Sequence, residues 1–293
     1  MSITLTQLRS FLAVMRTGSV TGAADELVVT QPSVSAAVTA LSREVGTALL
    51  EREGRGVRPT AAGAAFAPFA TDVIGLLERG TSTALEAAAL SARELNIAAV
   101  TTAAESFVPA LIRSFSEAHP GVGLTLSVGN REGVFAMVAD HTADVAFVGR
   151  PPRDERIESW PVRVNELVLI GAPDDPFVAA GPMPPADLDR RAWLLREPGS
   201  GTRTANEEFL ADHGLDARTL TLGSNGAIKQ AARAGLGISF VSRDAVAAEL
   251  EAGLVGAIDV AGGPEPRHWH MLRLAVGPAR PLVDEFVDFV AQA

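Results

Sequence analysis

Apolar residues at Leu5, Leu8, Phe11, Leu12 and Met15 recur at helical spacing, so the chain opens with a helix that buries one face. Gly18 ends it, and Ser19 is placed to cap a second helix whose inner face is Val20, Ala23, Ala24 and Leu27. The paired alanines let neighbouring helices approach closely. Val28 and Val29 form the turn, Thr30 caps a third helix, and Pro32 falls in its first turn, where proline is tolerated. On that helix Val34, Ala37, Val38, Leu41 and Val45 point inward, while Ser33, Ser35, Ala36, Thr39 and Arg43 point outward; Gly46 closes it. Residues 49–59, with the glycine-rich centre Glu53-Gly54-Arg55-Gly56, predict a short hairpin, or wing. Thr60 then caps a long helix reaching about residue 90, with Phe66, Phe69, Val73, Leu77, Ala84 and Ala88 as an apolar stripe. A long exposed helix with such a seam pairs with a copy of itself. Pro68 and Gly75 weaken this helix, and Pro68 is expected to kink it.

From Arg93 the pattern becomes strand and helix in alternation. Strands are predicted at 95–100, 122–128, 144–148, 166–170, 193–195, 219–222, 237–241 and 270–276. Helices are predicted at 104–118, 132–139, 203–213, 227–234, 243–251 and 281–290. The βαβαβ rhythm implies a mostly parallel sheet with helices on its faces, and it restarts after residue 170. Two similar lobes in tandem make a hinged pair with a ligand cleft between them. Sites in such sheets lie at the C-terminal ends of strands.

Composition narrows the function. The 293 residues leave room for two or three domains, and 47 % hydrophobic against 20 % charged residues argues for ordered, well-buried structure. There is no cysteine, hence no disulfide, thiolate metal site or cysteine nucleophile. Neither a secretory pattern at the N-terminus nor an uninterrupted run of about 18 apolar residues is present, so the expectation is a cytoplasmic protein without a membrane span. The net charge of −10 argues at first against nucleic acid. Its distribution reverses that: residues 1–60 carry six arginines against five carboxylates, and Arg52, Arg55 and Arg58 crowd into the wing. A helix pair whose second member presents small polar side chains at its start is what enters a DNA major groove. Gln31, Pro32, Ser33, Ser35, Ala36, Thr39 and Arg43 are the expected contacts there, with Arg52, Arg55 and Arg58 on phosphates or in the minor groove. So neutral a domain binds weakly as one copy and needs oligomerisation.

These motifs carry a resemblance. Ser19, Ala23-Ala24, Leu27, Thr30-Gln31-Pro32-Ser33-Val34-Ser35, Leu49 to Arg52 and Thr60-Ala61-Ala62-Gly63 resemble the N-terminal domain of LysR-type transcriptional regulators, a family that extends over the whole chain length. Leu50 stands where that family usually has Phe, and residues 36–43 carry fewer long polar side chains than most relatives. The resemblance implies a winged helix-turn-helix over residues 1–60 and a linker and dimerisation helix over 61–90. It further implies a two-lobed effector domain over 91–293, like a periplasmic solute-binding protein, in which the chain crosses between lobes twice. The crossings are placed near 161–166 and 264–269, giving one lobe of 91–162 with 269–293 and another of 163–268. The run Arg196-Glu197-Pro198-Gly199-Ser200-Gly201-Thr202-Arg203 resembles the subgroup that includes the Calvin-cycle and sulfur-assimilation regulators, which sense small anionic metabolites.

The strand ends supply a matching chemistry. Thr101 and Thr102, the Gly199-Ser200-Gly201-Thr202 turn and Ser224-Asn225 each follow a strand and open a helix, where free N–H groups, hydroxyls and the helix dipole favour an anion. Arg150 adds charge. Each could singly be a helix cap without a ligand; their occurrence together at equivalent strand ends favours a site. Gly199 to Thr202 lacks the Gly-Lys-Ser/Thr of a P-loop, there is no Gly-x-Ser-x-Gly elbow, and His268 with His270 lacks a third metal ligand. The expectation is therefore neither an enzyme nor a metalloprotein, and no cofactor. The expected partners are double-stranded DNA, a small anionic effector, a second copy or a tetramer of this chain, and RNA polymerase. The competing expectation is a cytoplasmic solute-binding protein whose N-terminal helices only mediate assembly.

Overall fold

The computed structural model describes residues 2–54, 56–88, 93–178, 180–278 and 280–292. The chain divides into two compact units, Met1–Ser91 with Ala139–His141, and Ala92–Val138 with Thr142–Ala293.

In the first unit, α1 (Leu5–Thr17) starts at a capping box between Thr4 and Gln7 and stops at Gly18, whose φ of 63° is left-handed. Ser19 caps α2 (Val20–Leu27), and Thr30 caps α3 (Gln31–Val45) by accepting from the Ser33 amide. Between them Val28 holds a left-handed φ of 55° with its side chain exposed. That conformation is uncommon for a β-branched residue. Phe11, Leu8, Leu41 and Leu49 form one core cluster and Val14, Ala13, Ala23, Ala24 and Val34 another. The wing is β1 (Leu50–Glu53) paired antiparallel with β2 (Gly56–Pro59), setting Glu51 opposite Arg58 and Arg52 opposite Val57. Thr60 caps α4 (Ala61–Ala87), which holds Pro68 within it. At Gly63 a side chain is excluded, because a Cβ there would overlap the backbone carbonyl of Leu49.

The apolar stripe on α4 divides. Phe66 turns toward Phe11, with ring centroids 5.9 Å apart, while Phe69, Val73 and Leu77 stay exposed. By length and composition α4 is also apolar enough to cross a membrane. The sequence expectation of no such segment rested on the stricter demand for an uninterrupted apolar run.

The second unit contains two lobes, each built on a mixed sheet. In lobe 1, β3 (Glu94–Val100) pairs parallel with β4 (Gly123–Gly129) and β5 (Val145–Val148). Then β12 (Arg267–Leu274) pairs antiparallel with both β5 and β6 (Ile157–Asn165), giving the order β4-β3-β5-β12-β6. In lobe 2, β7 (Leu167–Gly171) lies antiparallel between β10 (Ser239–Ser242) and β11 (Gly256–Ile258), and β8 (Trp193–Arg196) pairs parallel with β9 (Thr219–Leu222). A parallel bridge between Trp193 and Ile238 joins these pieces. Read through that bridge, lobe 2 runs β9-β8-β10-β7-β11, the same plan as lobe 1. The sheets are mixed, not mostly parallel, because each lobe borrows an antiparallel strand where the chain crosses over.

Helices follow the strand ends: α5 (Thr101–Ser106) and α6 (Val108–Ala118) after β3, α7 (Arg131–Ala139) after β4, α8 (Gly201–Asp212) after β8, α9 (Asn225–Arg233) after β9 and α10 (Arg243–Glu251) after β10. The single helix predicted at 104–118 is two, broken at Phe107, with Pro109 in the first turn of the second. The terminal α11 (Pro281–Gln292) packs Leu282, Phe286 and Val290 into the lobe 1 core beside Phe115 and Phe147. The lobe limits expected at 162/163 and 268/269 fall inside the β6–β12 ladder, which runs from Ile157↔Leu274 to Asn165↔Arg267.

Candidate functional site

Because the two lobes share one plan, their strand ends meet across a cleft. Its wall includes Val100 to Thr102, Gly129 to Arg131, and Gly149 and Arg150 from lobe 1, with Arg196, Ser200 to Thr202, Asn225 and Ser242 from lobe 2. Asn165, Leu167, Arg267 and Trp269 close it at the crossover. The cavity has a volume of about 80 Å³, several times the ~10–15 Å³ that one water needs. Arg131, Arg150, Arg196 and Arg267 line it, and among the described residues no carboxylate does. Burial, and then the nearby Arg150 charge, hold the Arg131 guanidinium below its ordinary range. A bound anion would relieve the strain that burial and the neighbouring positive charge place on Arg131.

Polar ties link the lobes around the cleft. The Asn225 amide donates to Thr102 Oγ1 at 2.9 Å, and its oxygen accepts from Arg196 Nη1. Arg196 is buried and also forks onto Glu197 at 2.8 and 2.9 Å. Burial raises the Glu197 carboxyl, but Arg196 and Asn130 outweigh it and hold it below the usual carboxylate range. Ser242 Oγ donates to Asn165 Oδ1 at 2.8 Å. Near the crossover, Asp244 accepts from Arg163 at 3.1 Å and from the Trp269 indole at 2.7 Å.

Of the residues expected from sequence, Thr101, Thr102, Arg150, Ser200, Gly201, Thr202 and Asn225 come together on this wall. Gly199 and Ser224 stand outside the lining. Gly199 has a φ of +83°, a Cβ would run into Glu132, and its carbonyl accepts from the Glu132 amide at 3.2 Å. Ser224 caps α9 through the Ala227 amide. Sequence reasoning missed Asn130, Arg131, Asn165, Ser242, Arg267 and Trp269 as lining residues, and singled out Arg196 only as the start of the Arg196 to Arg203 run. Asn130 and Ser242 lie at strand ends like those that were found; Arg267 and Trp269 carry no local signal.

The first unit presents a different surface. Gln31, Pro32, Ser33, Ser35, Ala36, Thr39 and Arg43 are all exposed, on the N-terminal turns and outer face of α3. Arg52 and Arg58 are exposed on the wing, where Arg58 pairs with Glu51 at 2.8 Å and Glu53 at 3.5 Å. Arg55 lies outside the described residues.

Comparison with known proteins matches a family model to each part of the chain. A family described as a bacterial regulatory helix-turn-helix protein of the lysR family matches residues 5–64, and the LysR substrate binding domain matches residues 88–293. The transcriptional regulator CfxR of Cupriavidus necator is 37% identical over 275 residues, covering 94% of this chain and 86% of its own. A RuBisCO operon transcriptional regulator of Allochromatium vinosum is 37% identical over 292 residues, covering 99% and 96%. Among solved structures, the regulatory domain of Synechocystis PCC6803 CcmR in complex with 2-PG matches with a TM-score of 0.64 at 32% identity, over 68% of this chain and 96% of that one.

Proposed function

Because this chain belongs to the LysR family of transcriptional regulators, we propose that its cleft takes a small anionic metabolite, and that occupancy resets how an oligomer holds promoter DNA. The observation that carries this reading is four arginines on a cleft wall without a carboxylate. Guanidinium forks suit phosphate and carboxylate groups. The CcmR domain at 32% identity, in complex with 2-PG, makes 2-phosphoglycolate the first compound to try. Thr102, Ser200, Gly201 and Thr202 offer hydroxyls and N–H groups beside the guanidinia. The target genes, by analogy with relatives named for the RuBisCO operon, serve carbon fixation.

On the DNA side, α3 enters the major groove with Gln31, Ser33, Ser35 and Thr39 at bases or phosphates, and Arg43, Arg52, Arg55 and Arg58 at the backbone. One such domain binds weakly, so the exposed Phe69, Val73 and Leu77 stripe of α4 pairs two copies, or four as two pairs. The effector prefers one lobe arrangement and shifts the population toward it. The action is regulatory, not catalytic, and belongs in the cytoplasm, with RNA polymerase as the downstream partner.

The test joins two titrations of the full-length protein. Fluorescence anisotropy on the intergenic DNA beside its gene should show specific binding that changes with 2-phosphoglycolate, and calorimetry should show saturable uptake of that compound. Absence of specific DNA binding with and without metabolites would sink the regulator reading. Thr102→Val and Thr202→Val should abolish the metabolite response and leave DNA affinity intact. Unchanged calorimetric binding in both variants would move the effector site elsewhere.

A further inference from the structure

Glu208 does not line the cleft, yet it holds two of the four guanidinia that do. It lies one turn beyond the lining residue Thr204 on α8, on the same helix face. Its Oε1 accepts from Arg150 Nη1 at 2.6 Å, and its Oε2 accepts from Arg150 Nη2 at 3.3 Å and from Arg267 Nη2 at 3.0 Å. Arg196 is committed differently, being buried and forked onto Glu197. Arg131 contacts the Arg150 carbonyl at 3.4 Å and the Phe135 ring at 4.8 Å; among the described residues it forms no direct ion pair, although the Glu208 charge reaches it through space.

The donors that Arg150 and Arg267 give to Glu208 cannot serve a second anion at the same time. We propose that Glu208 is a resident counter-anion, which competes with the effector for Arg150 and Arg267 and so sets the concentration at which the regulator responds. This rests on reading the cleft as an anion site. The pair is built for exchange: the side chains of Arg150 and Glu208 are 49% and 36% exposed, so water screens the partners and can solvate a released carboxylate. Arg196, with 7% of its side chain exposed, is not exchangeable in this sense. Arg150 comes from lobe 1 and Glu208 from lobe 2, so an effector that takes Arg150 also removes an interlobe tie. Competition for one guanidinium thereby becomes a change in how the lobes are held.

The experiment is calorimetric titration of 2-phosphoglycolate into full-length wild type, Glu208→Gln, Glu208→Ala and Glu207→Gln. Glu207 is the neighbouring carboxylate, paired with Arg203 at 2.8 Å, and controls for a change of net charge alone. The expected result is tighter binding by about three- to tenfold in both Glu208 variants, with Glu207→Gln unchanged. Equal or weaker binding by the Glu208 variants would overturn the proposal and make Glu208 a support for the arginines. An equal gain in Glu207→Gln would also overturn it, leaving only a long-range charge effect. If neither wild type nor any variant takes up the compound, the anion-site reading and this proposal fall together, whereas binding by wild type with no gain in the variants removes this proposal alone.

Discussion

Asn225 is where the two lobes share a single side chain. It is buried, its amide N–H donates a hydrogen bond to Thr102 Oγ1 and its oxygen accepts one from Arg196, and both of these partners are buried as well. Asn225→Leu would leave a hydroxyl and a guanidinium donor unpaired, which costs about 1–3 kcal/mol for each buried group left unsatisfied. Urea unfolding should show that loss, and Asn225→Asp, which keeps an acceptor for Arg196, should recover most of it. A midpoint unchanged in Asn225→Leu would show that the link carries no stability. Gly63 makes a second residue-scale case. Gly63→Ala sets a methyl against the Leu49 carbonyl, so the backbone must shift, at a cost of about 1–3 kcal/mol readable in the same assay. A threonine three residues before a glycine was visible in the sequence as a motif. That the glycine is there to admit a backbone carbonyl was not, because Leu49 reaches it through the wing and not through the helix.

At the scale of elements, the caps were the most legible feature. Ser19, Thr30 and Thr60 each accept from an amide in the first turn of the helix they precede, as their sequence positions implied. Thr30→Ala should destabilise the protein by about 1 kcal/mol and weaken DNA binding more than it lowers the melting temperature, since it loosens the turn that presents Gln31 and Ser33. Equal binding by the variant would show that α3 needs no cap to dock. Strand β6 was not legible. Ile157–Asn165 carries Glu158, Pro161 and Arg163, a composition that reads as a linker. It is tolerated because β6 is an edge strand, and because its ladder with β12 shifts register between Trp269 and His270, where Pro161 sits. Strand β11, only three residues long, offers too little pattern to find. Of the six strand ends around the cleft, four were legible, Arg150 among them; the ends of β4 and β10 were not, because Asn130, Arg131 and Ser242 look like any polar residues after a strand until topology brings them to the cleft.

For the whole molecule, charge and pH follow from the same cleft. Burial alone would raise the Glu208 carboxyl, but its bonds to Arg150 and Arg267 prevail and hold it below the usual range. Glu197 behaves alike with Arg196 and Asn130. A carboxyl depressed in the folded state adds stability above its unfolded value, near ~4.3, and loses it as the pH falls through the folded value. The melting temperature of the full-length protein should therefore show no loss from these groups between neutral and mildly acidic pH, and should fall once the pH drops below about 4. In Glu208→Gln that acid limb should be shallower, as differential scanning calorimetry at stepped pH would show; an identical limb would remove Glu208 from the interlobe linkage. The overall charge of −10 conceals this local excess of arginine, which only the strand ends pointed toward.

The place of β12 has a consequence for how the protein is made. This strand lies between β5 and β6, with α11 following it into the lobe 1 core, so an interior strand of the lobe 1 sheet is translated more than a hundred residues after β3, β4 and β5 begin. The winged helix unit is encoded entirely before it. A nascent chain thus holds a complete operator reader long before its sensor can close. A premature stop codon ahead of residue 267 would release a polypeptide whose operator-reading unit is complete and whose lobe 1 sheet is not. Such a truncation, co-expressed with the intact gene, should act as a dominant poison of regulation, where an early stop codon should be merely null.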